Sequence, residues 1–479
     1  MNRPIRRVAV VAMVMFALLM ANITYSNVFR TDSLNADGAN RRVRDAEFGQ
    51  DRGAILVGGT AIAATKPSND RFKYQRIYSQ PELYAPVTGY YSYDYERTGL
   101  EATYNSQLAG TDDSLFVRRM IDIVTNHTPQ GASVETTLNA KAQQAAAKSL
   151  GHSKGAVVAI DPATGAILAL VTNPSYDPNN IASHDIGAAQ KAWTTLSKDP
   201  AQPMSNRAVR EVYPPGSTFK LVTAAAALET LHMTADTKVP SPAKLKLPNT
   251  NTYLTNEGSC GGTQITVKQA LRVSCNTAFA GIGLQLGADP LRAEAEKFGF
   301  DRAQLPELNG VASRFPDNPD LSQTALSAIG QYDVAATPLQ MAMVSAAISN
   351  GGTLMKPYLV NTVRTANLQS VYTAKPDKLS QPLTTANASI LQQMMEDVVQ
   401  NGTGTSAKIS GVTVGGKTGT AQSDPTRKPF AWFTSYAKAG NSSVAVAVMI
   451  QDADIQRNDI AGGRLAAPVA KAVMEAVLK

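Results

Sequence analysis

The chain has 479 residues, of which 43% are hydrophobic and 17% charged; that balance excludes a disordered polypeptide and provides for two or three folded units. The 45 Lys and Arg against 38 Asp and Glu leave a formal charge of +7, and Arg3, Arg6 and Arg7 supply three of those charges before any folded segment begins. The remainder is too dilute to recruit a nucleic acid.

The N-terminus reads as a membrane segment. Basic residues precede an apolar run from Val8 to Ala21, with Asn22 the only break before Ile23. By the positive-inside rule the arginines stay cytoplasmic, which places everything after about residue 27 outside. The unbroken run is short for a span, and a cleaved signal peptide is the rival. Leu19 and Ala21 lack the small-x-small pattern of a cleavage site, which favours residues 1–26 as a cytoplasmic tail and retained anchor.

Residues 27 to about 128 are polar and rich in tyrosine (Tyr84, Tyr90, Tyr91, Tyr93, Tyr95, Tyr104) and read as an extended β-containing module. Asn139 then caps a run of strong helix formers through Leu150, expected to link this module, residues 27–150, to the next. Gly155–Ile160 and Ala166–Val171 are apolar runs around a turn at Asp161–Gly165, which is a buried hairpin. Phe430–Tyr436 and Ser443–Ile450 repeat the pattern before a closing helix from about Pro468 to Leu478. Strands at both ends flank a helix-rich middle, so residues 151–479 are expected to form one α/β domain whose sheet combines distant parts of the chain.

Cys260 and Cys275 are the two cysteines. Both lie in the exported part, where oxidation is permitted. A disulfide across the 15-residue interval and a pair of buried thiols both stay open, because spacing does not say whether the Cα atoms approach. His127, His152, His184 and His232 are dispersed, so no metal or cofactor is expected and a thiol nucleophile is disfavoured.

The chemistry concentrates after Pro214-Pro215-Gly216. Ser217 and Lys220 are three residues apart at the start of a segment, Leu221–Leu231, that is apolar nearly all round and therefore buried. On a helix their side chains share one face. A hydroxyl needs a base to become a nucleophile, and burial disfavours the ammonium form of Lys220, as does the helix dipole. Ser274-Cys275-Asn276 and Lys417-Thr418-Gly419-Thr420 follow downstream. Ser274 can relay a proton, and Asn276 can hold a substrate carbonyl or position Lys220. Lys417, Thr418 and Thr420 can hold a substrate carboxylate. Gly415, Gly416 and Gly419 leave the strand bare for a peptide to lie along.

This trio, in this order, is shared by class A β-lactamases and penicillin-binding proteins, and the chain resembles a class B penicillin-binding protein over nearly its whole length. Asn206-Arg207-Ala208 through Lys220 is similar to the family's nucleophile segment, and Pro174-Ser175-Tyr176-Asp177-Pro178-Asn179 to its upstream loop. Gly330-Gln331 with Thr337–Ala342 resembles a further signature, although Tyr332 stands where glycine is usual. Arg52-Gly53-Ala54-Ile55 and Gly99-Leu100-Glu101, with Tyr104, Leu108 and Gly110, resemble the pedestal motifs, and the short tyrosine-rich pedestal looks most like the actinobacterial penicillin-binding protein A group.

The resemblance implies an α/β fold of the α+β type: a central antiparallel sheet with helices on both faces and a helical subdomain, behind a β-rich, dimerisation-like pedestal and one membrane helix. It also implies a serine D,D-transpeptidase at the cell membrane, with its catalytic domain outside the cytoplasm. Such an enzyme cross-links peptidoglycan stem peptides ending in D-Ala-D-Ala, is acylated by β-lactam antibiotics, and serves growth or division alongside other cell-wall or division proteins. Two rivals are a hydrolase, either a D,D-carboxypeptidase or a β-lactamase, and a non-catalytic division scaffold. For the hydrolase, Glu307-Leu308-Asn309 is the nearest candidate deacylation string, at the wrong spacing.

Overall fold

The computed structural model describes residues 3–35, 41–112, 115, 130–422, 428–453 and 455–479; His127 lies outside them. Arg3–Phe29 is one helix of 27 residues, α1, with none of its side chains buried. At 1.5 Å per residue it is about 40 Å long, enough to cross a hydrocarbon core about 30 Å thick. The run that reads as short in sequence is prolonged by the arginines on one side and by Ile23–Phe29 on the other.

The next elements are strands β1 (Ile55–Val57), β2 (Thr60–Pro67), β3 (Tyr74–Tyr78) and β4 (Ser133–Thr136). Helix α2 (Ala140–Leu150) is capped by Asn139, whose side chain accepts from the Ala142 N–H. It is followed by the hairpin β5 (Lys154–Ile160) and β6 (Ile167–Asn173). The middle is helical, with α3 (Lys220–Thr230), α4 (Asn276–Leu286), α5 (Ala288–Lys297) and α6 (Pro338–Ser349). A second hairpin, β7 (Val360–Arg364) and β8 (Ser370–Thr373), precedes α7 (Thr385–Asn401). Strands β9 (Thr413–Ala421), β10 (Phe430–Ala439) and β11 (Ser442–Gln451) lead to α8 (Gly462–Leu478).

The central sheet is antiparallel in the order β9-β10-β11-β5-β6. It joins the first and last strands of residues 151–479, as the apolar runs imply. β10 and β11 are buried along nearly their whole length, as expected of strands covered on both faces. α2 and α8 cover one face, and α6 packs on the other.

Two elements add to the sequence reading. Besides lying between the two stretches, α2 is part of the core: Ala142, Ala146 and Leu150 form a buried i, i+4, i+8 stripe against the central sheet and α8. The closing helix begins at Gly462, six residues before Pro468, which it contains in its second turn. Pro468 is the seventh residue of the helix, past the first turn that tolerates proline, and forgoes the bond to the Arg464 carbonyl; it does not mark the start.

The N-terminal sheet runs β8-β7-β4-β1-β2-β3. Its core pair is parallel, Ile55 opposite Val134, and β7 from far downstream pairs antiparallel with β4, Val363 opposite Val134. The division at residue 150 therefore separates stretches of sequence while one sheet spans both. Behind the sheet, the buried Glu101 carboxylate receives Arg52 Nε and Arg76 Nε, each at 2.6 Å, and the Tyr78 hydroxyl at 3.1 Å. A buried carboxylate is tolerated because it is paired in this way, which accounts for the arginine and glutamate of the pedestal motifs.

Candidate active site

Ser217 lies in a 3-10 turn, Gly216–Phe219, that leads directly into α3. In such a turn residues i and i+3 eclipse, so Ser217 and Lys220 fall on the same side, as the spacing implies. Trp432 of β10 donates its indole N–H to the Pro214 carbonyl at 3.0 Å and fixes the turn against the sheet. From Lys220 to Leu228 every residue of α3 is buried, and the Lys220 side chain is fully enclosed.

Ser274 and Asn276 reach Lys220 from the start of α4. Ser274 holds a left-handed backbone, φ 59°, which is uncommon for serine and is a form of strain found at functional sites. Lys220 Nζ lies 2.8 Å from the Ser274 carbonyl oxygen, 3.2 Å from Ser274 Oγ and 2.7 Å from Asn276 Oδ1. Asn276 is itself anchored by donating to the Thr255 carbonyl at 3.2 Å. Cys260 and Cys275 are joined as a disulfide with 5.5 Å between Cα atoms, and Cys275 is the N-cap of α4 between the two motif residues.

Lys417 on β9 is also fully enclosed; it donates to Ser274 Oγ and to the Thr418 carbonyl, each at 2.8 Å. One hydroxyl thus joins two buried amines. Burial holds Lys220 well below the ordinary lysine range, and the neighbouring Lys417 charge adds to the effect, while Glu257 opposes it. Burial brings Lys417 down to about 7, with Glu257 again opposing.

Thr420 and Ser217 line a cleft of about 370 Å³ together with Asn276, Glu257 and Tyr332. Thr418 does not line it. Its hydroxyl pairs with Thr403 Oγ1 at 2.6 Å. The glycines also act differently from the expectation. A Cβ at Gly415 or Gly416 would come within 2.4 Å of the Tyr436 ring or 2.5 Å of the Phe433 ring, and one at Gly419 within 3.0 Å of Pro215 O and Thr218. They admit aromatic rings and the nucleophile turn to β9. The strand remains open to a peptide because β9 is an edge of the sheet.

The other family-like motifs hold the modules together. Asn179 bonds both backbone groups of Tyr78, and Asn206 donates to the Pro86 carbonyl at 2.7 Å. Tyr332 keeps the left-handed backbone that glycine adopts easily, φ 63°. Glu307 accepts from the Leu359 N–H at 3.1 Å and lines a different cavity, beside Tyr104. Sequence reasoning missed Glu257, Thr403 and Trp432, which come from segments carrying no motif.

Comparison with known proteins agrees with this geometry. Residues 155–475 match the penicillin binding protein transpeptidase domain, and residues 52–134 match the penicillin binding protein A dimerisation domain. The chain is 41% identical to the peptidoglycan D,D-transpeptidase PbpA of Mycolicibacterium smegmatis, over 100% of this chain and 99% of that protein. The PbpA of Mycobacterium tuberculosis is 41% identical with the same coverage. Penicillin-binding protein A from M. tuberculosis, solved as a ceftriaxone acyl-enzyme complex, superposes with a TM-score of 0.87 at 39% identity, covering 91% of this chain and 100% of that one. With its fold, its clustered motif residues and its full-length likeness in agreement, the chain belongs to the penicillin-binding protein transpeptidase family.

Proposed function

We propose that this protein is a peptidoglycan D,D-transpeptidase, held at the cytoplasmic membrane by α1 with its catalytic domain outside, in which Ser217 is the nucleophile and Lys220 its base. The observation that carries the reading is the state of Lys220: a fully enclosed amine, one turn from a serine on the cleft, among neighbours suited to its neutral form. A neutral amine has two N–H bonds and one lone pair. The Ser274 carbonyl and Asn276 Oδ1 only accept, so they take the two N–H bonds. The lone pair is left for a hydroxyl.

Ser217 Oγ attacks the carbonyl carbon between the two D-alanines as its proton passes to Lys220. The C–N bond breaks, the proton travels through Ser274 Oγ to the departing amine, and D-alanine leaves an ester on Ser217. The amine of a second stem peptide then attacks that ester, forms the new amide, and yields its proton through the same pair to restore the Ser217 hydroxyl. The covalent intermediate divides one difficult exchange into two easier steps. Backbone N–H groups of Ser217 and Thr420 receive the developing oxyanion, and the donor peptide lies along the β9 edge. Lys417 and the Thr420 hydroxyl receive the substrate carboxylate, whose negative charge draws Lys417 toward its ammonium form.

β-Lactams occupy the same site and stop at the ester. The setting we propose is cell-wall synthesis during growth or division, beside partner proteins of that machinery. Ser217→Ala is expected to abolish covalent labelling by a fluorescent penicillin while leaving the melting temperature close to wild type. Labelling that persists in the variant would refute the assignment, and rapid release of the adduct from the wild type would favour a hydrolase.

A further inference from the structure

The cavity beside Glu307 takes no part in the chemistry above and shares no lining residue with the cleft at Ser217. It measures about 330 Å³ and opens where separate stretches of chain meet: Tyr104 comes from the pedestal, Pro357 and Tyr358 from the approach to β7, Tyr372 from β8, and Pro306 completes the wall. These stretches are fixed before any ligand arrives. The Tyr358 N–H donates to the Gly165 carbonyl at 3.1 Å, and the Tyr358 carbonyl accepts from the Ile167 N–H at 3.0 Å. The Thr103 hydroxyl donates to the Glu307 carbonyl at 2.8 Å. A ligand therefore orders little of the protein on binding.

The rings of Tyr104, Tyr358 and Tyr372 do not stack on one another among the described residues, so slots remain between them. Their hydroxyls likewise have no hydrogen-bond partner there. Burial raises the Tyr104 and Tyr372 hydroxyls above the ordinary phenol range, and Glu307 adds to both, so they keep their protons and donate. Lys356 and Lys375 bring exposed, unpartnered ammonium groups to the rim. Free acceptors are fewer: Asp377, and the second oxygen of Glu307, whose first is held by the Leu359 N–H. The lysines balance the carboxylates in charge, so the groove selects no ion. It suits a neutral ligand that is rich in acceptors, poor in donors, and shaped to put flat apolar faces into the slots. A polyproline II segment has these properties, because proline lacks an N–H, the helix leaves its carbonyls without internal hydrogen bonds, and the chain is already ordered.

We infer that this groove is the docking site for a proline-rich, extended segment of a partner protein on the same side of the membrane as the catalytic domain. A partner held there leaves the Ser217 cleft open to substrate.

Fluorescence anisotropy tests this on the full-length protein in detergent micelles, with a fluorescein-labelled decaproline amide as the probe. Saturable binding in the micromolar range is expected, and a glycine–serine peptide of the same length, flexible and bearing N–H groups, is expected to bind at least about tenfold more weakly. Tyr372→Ala, at a side chain 45% exposed, is expected to weaken decaproline binding about tenfold. Tyr372→Phe and Tyr104→Phe, which each remove one hydroxyl, are expected to weaken it about threefold. Acylation by penicillin G is expected to match wild type in all of these variants, which shows that they fold. Chitotriose, a neutral saccharide whose hydroxyls both donate and accept, is expected not to displace the peptide. No binding of decaproline, equal affinity for the two peptides, or wild-type affinity in Tyr372→Ala would overturn the inference. Displacement by chitotriose would overturn it too, and would assign the groove to a glycan.

Discussion

Two buried amines meet at the hydroxyl of Ser274, and their protonation sets the pH response of the enzyme. In the proposed mechanism acylation needs Lys220 neutral and Lys417 charged. Since burial lowers Lys417 to about 7, the free enzyme loses that cation as pH rises through neutrality. The second-order rate constant for penicillin acylation, which reports the free enzyme, is therefore predicted to fall on an alkaline limb near pH 7. A stopped-flow profile still level at pH 9 would show that Lys417 keeps its proton like an ordinary lysine. Ser217 and Lys220 were legible in sequence because their relation is local, three residues in one turn, and burial of Lys220 follows from the apolar segment after it. The tie between Lys220 and Lys417 was not legible. It is made by Ser274, held in a left-handed backbone between segments 54 and 143 residues distant, and no local pattern encodes that meeting.

Helix α5 carries a cost that the rest of the fold absorbs. Glu294 is 2% exposed and packs toward α3; one of its carboxylate oxygens has no partner, and the other is held by Lys297 at 3.1 Å. Burial raises its pKa to about 7 from an ordinary 4.5. Between those values the folded state holds a proton that the unfolded chain releases, so stability falls as pH rises through the window and the full cost is present above about 7. Glu294→Gln, a neutral group of the same shape, is predicted to raise stability at pH 8 by up to roughly 3 kcal/mol and to have little effect at pH 4. Calorimetric melting at both values checks this, and an equal shift at both would mean that charge is not the cause. Element types were readable where periodicity was strong: the hairpin β5–β6, strands β10 and β11, and α2. Their partners were less so. α2 reads as a connector because its alanines are small and its polar residues many, and only the sheet and α8 reveal which stripe is buried.

At the scale of the whole molecule, the N-terminal sheet borrows β7 and β8 from the catalytic half of the chain. A fragment of residues 151–479 keeps that hairpin but loses β4, its neighbour, and so exposes an unpaired edge of the kind that aggregates. The fragment is predicted to be insoluble on expression, whereas residues 41–479, which lack only the membrane helix and its flank, are predicted to be soluble and to bind penicillin. A soluble, monomeric fragment would show that the two sheets are independent. The borrowed hairpin had no sequence signal, since strand pairing across more than two hundred residues leaves no local trace. The account as a whole stands on a neutral amine at residue 220, and Lys220→Arg tests that most directly. Arginine fills a similar length of side chain and cannot lose its proton. Intact-mass measurement of penicillin G acylation at pH 7.5 is predicted to show a loss of about a hundredfold or more in a variant that still melts cooperatively, and acylation of that variant at the wild-type rate would contradict the mechanism.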